Sequence, residues 1–213
     1  MTPPTHTVYA IDSADRIIGY DEDWVAFGLE NGLADPQRYL GTLLWDGLAN
    51  APAELVTLLR ALVDCVRVRR ARVLGLPYRC DSPTVRRDME LDLEPAPDGG
   101  VRFVSRLLAS RPRATPVLVP TSPPGPGVLS LCAWCLSAKL ERGWCDLTEA
   151  VHELGLLALD PLPQVSHGMC PRCAAALRRQ IGRASDRGPG PTGPETSDMP
   201  HFDRGRPGPP APG

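Results

Sequence analysis

Four cysteines of this chain stand in two C-x-x-C pairs, Cys132 with Cys135 in "CAWC" and Cys170 with Cys173 in "SHGMCPRC", with 34 residues between the pairs. A C-x-x-C turn brings two thiolates together, and a second such turn completes the four-sulfur tetrahedron that structural zinc prefers. One pair alone would leave thioredoxin-like redox chemistry open. Two pairs in a small segment without a strand-to-helix redox context favour a metal. His167, three residues before Cys170, could replace one thiolate or donate a hydrogen bond to one from outside the shell. Four cysteines already fill the shell, so the outer role, or a plain turn histidine beside Gly168, is expected. Cys145 could also compete as a ligand, but it stands alone and reads as a half-buried apolar cysteine.

The rest of the composition narrows the function classes. A formal charge of −2 and a pI near 6.1 give no global positive field to hold nucleic acid or an anionic membrane. The start, "MTPPTHTVYAIDSADR", lacks a basic segment followed by an apolar run, and no stretch reaches the roughly 18 apolar residues of a membrane span. A soluble, cytoplasmic protein is expected, and its 7 cysteines read as free thiols or metal ligands rather than a disulfide framework. No phosphate loop, kinase asparagine motif, phosphoacceptor context or glycosidase carboxylate pair occurs, and no nucleophile motif joins a thiol to His152 or His167. The expectation is a protein that is not an enzyme.

The elements that must carry these residues follow from periodicity. "TVYAID" and "IIGY" around the turn "SADR" predict an antiparallel hairpin. "DEDWVAFGLENG" predicts a helix with an acidic start, an apolar face of Trp24, Phe27 and Leu29, and a stop at Asn31-Gly32. "LGTLLWDGLA" predicts a short helix. "APAELVTLLRALVDCVRVRR" predicts the longest one, with Leu55, Leu58, Leu59, Leu62 and Val66 on one face and Arg67, Arg69 and Arg70 at its C-terminal end. Then "RVLGLPYRCD", "RRDMELDLEPA" and "GVRFVSRLLAS" read as three strands, with Met89, Leu91 and Leu93 marking a buried face and "PDGG" a turn.

A strand pair, a helical crossover and three more strands make an α+β fold with a single five-stranded antiparallel sheet. This order resembles a PAS domain, and "DSADRIIGYDEDWVAFGLENG" resembles the PAS opening. "GTLLWDGL" and "YRCDSPTVRRDMELDLEP" resemble a bacterial group of PAS-like proteins with an "RCDSP" run. The resemblance covers about half the chain and implies a sensor or dimerisation domain, with a protein partner, a second copy or a small ligand as its partner. It does not extend to common cofactors. No histidine lies between Thr7 and Val151 to ligate haem, Cys65 and Cys80 read as apolar cysteines, and the flavin-photosensor cysteine motif is missing, so neither haem nor flavin is expected. Arg79, Asp81, Arg86 and Arg87 around Cys80 could bind an anion, or pair with one another to fix a turn.

Residues 1–110 are thus read as the PAS-like domain and 111–127, rich in proline, as a semi-rigid linker. Residues 128–183 form a four-cysteine zinc module of about 55 residues, too few for a hydrophobic core alone to be a secure support. Residues 184–213 read as a disordered Gly/Pro-rich tail. Within the module "DLTEAVHELG" predicts a capped helix from which Val151 and Leu154 could face the site, and "AAALRRQIG" a terminal helix. "CAWC" and "SHGMCPRC" resemble a zinc-binding-like segment at the ends of some bacterial signalling proteins, which implies a structural or interaction role. The two competing readings are a thiol redox sensor that releases zinc on oxidation and a zinc-ribbon nucleic-acid binder. Arg172, Arg178, Arg179 and Arg183 favour the second of these; six basic residues against five acidic ones over residues 128–183 oppose it.

Overall fold

The computed structural model describes residues 5–82, 84–112, 125–156 and 163–186. Strands β1 (His6–Ile11) and β2 (Ile17–Tyr20) form the expected hairpin, and helix α1 (Glu22–Glu30) follows at once. The α1 start is capped by Asp21, whose carboxylate accepts the Trp24 N–H at 2.7 Å. Its end is fixed by the Asn31 amide donating to the Phe27 carbonyl at 2.7 Å and by Gly32, at a φ of +88° that other residues avoid. Trp24 and Phe27 turn inward, but Leu29 is 54% exposed, so the apolar face is narrower than the sequence reading made it.

Helix α2 (Ala53–Arg69) is the crossover. Leu55, Leu58, Leu62, Val63 and Val66 are buried at helical spacing, and the chain leaves the helix at Arg70, in left-handed conformation. The basic end does more than meet the helix dipole. Arg67 pairs with Asp15 at 2.7 Å and donates to the carbonyls of Asp12 and Gly99, tying α2 to the hairpin turn. The segment expected to be a helix before α2 holds only a 3-10 turn, Asp46–Leu48, because Leu43 bridges Arg16 and extends the chain there.

Strands β3 (Val73–Arg79), β4 (Val85–Pro95) and β5 (Val101–Pro112) complete a five-stranded antiparallel sheet in the order β2-β1-β5-β4-β3. Alternation along the strands assigns the two faces. Leu91, Leu93, Val101 and Phe103 meet α2 in the core, and Met89 is buried on the same face. The opposite face carries cross-strand ion pairs, Arg106 with Glu90 and Asp92, each at 2.7 Å, and Arg102 with Glu94.

A second sheet holds β6 (Gly125–Cys132), β7 (Ala138–Leu140), β8 (Gly143–Cys145) and β9 (Pro163–Gly168), in the order β8-β7-β6-β9 with β9 parallel to β6. Helices α3 (Leu147–Glu153) and α4 (Pro171–Asp186) complete the four α-helices among the described residues. None of the helices is long and apolar enough to cross a membrane. β5 runs to Pro112 and β6 starts at Gly125, so regular strand reaches into both ends of the expected linker; the rest of it lies outside the described residues. α4 continues to Asp186, past the point where the tail was expected to begin, and the remainder of that tail also lies outside the described residues.

Candidate metal centre

The first C-x-x-C is a knuckle at the end of β6. The Cys132 carbonyl accepts the Leu136 N–H at 2.8 Å, and the Cys132 N–H donates to the Ser137 carbonyl at 2.8 Å. Closing so tight a loop puts Leu136 at a φ of 57°, left-handed backbone that costs a leucine roughly 1–3 kcal/mol. Such strain persists only where surrounding contacts hold it. The second pair sits where β9 runs into α4, a strand-to-helix junction that the sequence reading had not expected: Cys170 precedes the helix and Cys173 lies in its first turn. β6 and β9 are parallel, with Cys132 opposite Gly168, and this register delivers both pairs to the same end of the sheet.

One sulfur from each of Cys132, Cys135, Cys170 and Cys173 lies within 4.8 Å of the others, and this cluster could hold a metal ion. Cys135 Sγ and Cys170 Sγ are 3.8 Å apart. Zn–S bonds of about 2.3 Å in a tetrahedron place sulfurs about 3.8 Å from one another, whereas a disulfide needs about 2.05 Å. All seven cysteines are free thiols. The surroundings suit anionic sulfur: the Cys170 N–H donates to Cys132 Sγ at 3.3 Å, and Ser137 Oγ lies 3.1 Å from Cys135 Sγ. Proximity to the Cys135 sulfur pushes Arg172 above the ordinary arginine value.

Without a cation the four groups cannot all ionise together. Hydrogen bonds from Cys132 and Cys173 push the Cys135 thiol far down, while those to Cys132 and Cys135 push Cys173 far up. Burial pushes Cys170 up as well. A divalent ion would remove this conflict by holding every sulfur as thiolate.

His167 takes no place in the cluster. It sits on β9 opposite Leu131, exposed, while its neighbour Ser166 meets Ser130 across the parallel pair at 2.8 Å. Cys145 is also outside, half-buried on β8 against the module's own small core. Val151 packs on that same core and Leu154 is exposed, so α3 does not face the cysteines as the sequence reading expected. Its cap was legible, however: Asp146 accepts the Thr148 N–H at 2.8 Å. A second group, His6, Asp21 and Asp23, also converges, but Asp21 caps α1 and His6 faces Asp23 at 3.8 Å on the surface.

What the sequence did not disclose is how the knuckle is seated. Trp134, between the first two cysteines, is buried, and its indole N–H donates to the Pro77 carbonyl of β3 at 2.6 Å. The Arg79 N–H returns a bond to the Trp134 carbonyl at 3.0 Å, and the Trp134 ring tilts against Tyr78 at 5.8 Å. The knuckle thereby covers part of the otherwise open edge of the first sheet. Arg79, ion-paired with Asp81, and Arg86 reach Asp146 at 3.6 and 3.1 Å. α4 lies on α2, with Leu177 fully buried in the core that also contains Leu58 and Leu62, and with Arg178 paired to Glu54. No family model and no curated protein matches the chain.

Proposed function

We propose that this protein is a non-enzymatic sensing or adaptor protein in which a PAS-like half is joined to a zinc-stabilised module that serves protein interaction. The PAS-like reading draws support from the β2-β1-β5-β4-β3 order with its helical crossover between β2 and β3. The observation that carries the proposal is the four-thiol cluster, at a zinc-like sulfur separation, on a knuckle bonded to β3. Zinc held there by Cys132, Cys135, Cys170 and Cys173 fixes the knuckle, α4 and β9 relative to one another, and through them the contacts with β3 and α2. A ligand or partner acting on one half biases the other through that shared packing. The test is metal content after anaerobic purification: about one zinc per chain is expected. Fully reduced thiols with no metal would sink the assignment.

A thiol redox sensor is the second reading, favoured by Cys135, the one member of the four that is not buried. Hydrogen peroxide would take two electrons from a thiolate pair, its O–O bond breaking to give two hydroxide ions as one S–S bond forms and zinc is released. Zinc retained through mild peroxide treatment removes this reading. The nucleic-acid reading is weakened at Arg178, which pairs with Glu54.

A further inference from the structure

Arg87 projects from the helix-facing side of β4, on the same face as Met89 and Leu91, and is 8% exposed. A guanidinium cannot discharge by losing its proton, so one this deep calls for a counter-charge. The other well-covered arginines have one: Arg67 meets Asp15 and Arg79 meets Asp81. Arg87 forms no ion pair among the described residues. Its Nη1 donates to two neutral acceptors, the Asn31 side-chain oxygen at 3.0 Å and the Cys80 carbonyl at 3.4 Å. Its Nε is buried without a partner, and the Phe27 ring lies 5.3 Å from the guanidinium carbon. The nearby acids are taken: Asp88 faces Arg86, Glu90 pairs with Arg106, and Asp81 is engaged by Arg79 while accepting the Arg87 backbone N–H at 3.0 Å.

The edge left without a hydrogen bond among the described residues, Nε with Nη2, is the edge on which a guanidinium takes a carboxylate through two parallel N–H···O bonds. The layer above it is loosely packed. α1 fully buries none of its residues although Trp24 and Phe27 face inward, whereas α2 buries five.

We propose that Arg87 binds the carboxylate of a small organic acid between α1 and the sheet, with the acid's apolar part against Phe27. Nε is closed to solvent, so the acid enters by displacing α1, and occupancy is transmitted to that helix. The site goes beyond the metal-centred reading and stands whether or not the four thiols hold zinc.

The test titrates the full chain, in carboxylate-free buffer, with benzoate and hexanoate as probes and benzamide and hexanamide as uncharged controls, by calorimetry and thermal shift. At least one acid should bind, its amide about tenfold or more weakly, and Arg87→Gln should lose about tenfold or more in affinity. Arg87→Lys keeps the charge without the fork; it should show the same loss and decides the matter if the glutamine variant does not fold. Failure of both acids to bind up to about 10 mM, equal binding of acid and amide, or unimpaired binding by either variant overturns the site. Acid binding with amide exchange in α1 unchanged would keep the site and remove the sensing role.

Discussion

The two halves bury their residues by different means. Under α2 the first sheet closes on an aliphatic core in which Ile11, Leu62, Leu76, Leu93, Val63, Val66, Val73 and Val101 are essentially inaccessible. The second sheet has a small core of its own, Leu129, Ala138, Leu140, Leu147, Ala150 and Leu156. Its remaining buried residues, Cys132, Trp134, Cys170, Cys173, Ala174, Leu177 and Ala184, belong to the core of the first half. A short segment that cannot bury enough surface alone has two remedies, a cross-link and a larger neighbour. This module has the larger neighbour, and its four-thiol cluster could hold the cross-linking ion on the same knuckle.

That contrast can be broken in graded steps. The largest effect is expected from Cys132→Ser, which opens the four-sulfur shell at a fully buried position. Zinc should be lost and β6, β9 and α4 should lose amide-exchange protection while α2 stays protected; a structural zinc site is worth about 10 kcal/mol or more in small peptides. Equal protection in both halves would show that the metal is not the support.

Next comes Leu177→Ala, which removes an inaccessible side chain from the α2–α4 contact. It should cost about 2–5 kcal/mol, and chemical denaturation should show the two halves losing stability together. A transition confined to the C-terminal half would mean that the shared core does not couple them. Trp134→Phe keeps a ring at the knuckle and deletes the bond to Pro77. The expected cost is about 1–3 kcal/mol with zinc content unchanged, separating the seating of the knuckle from metal binding.

The smallest effect should come from acid. Burial by itself raises Asp146, but the Thr148 backbone and side chain, then Arg86 and Arg79, hold its carboxyl below the ordinary value. The folded form thus releases this proton more readily than the unfolded one. The contribution is complete above the ordinary carboxylate range and fades as pH falls through the lowered value. Asp146→Asn should flatten that part of the pH profile of the zinc-free protein, where thiolate protonation does not displace metal.

Much of the first half was legible because its elements announce themselves locally. The α1 cap at Asp21, the spacing of Leu55, Leu58 and Leu62, and the alternation of Met89, Leu91 and Leu93 each lie within a few turns of chain. The second sheet was not legible. β7 and β8 hold three residues each, and β9, "PQVSHG", is a mostly exposed strand with no buried alternation to betray it. Its partner β6 lies across residues 133–162, so the parallel pairing leaves no short-range signature.

The candidate site divides in the same way. Its four cysteines could be named from two C-x-x-C spacings, because metal-ligand turns are local geometry. Demoting His167 needed only the ligand count of zinc. The seating of Trp134 on Pro77, the Leu177 contact and the unmatched charge of Arg87 came only with the tertiary structure. Each is decided by which distant backbone or carboxylate lies alongside a side chain, and chain folding, not residue spacing, sets that distance.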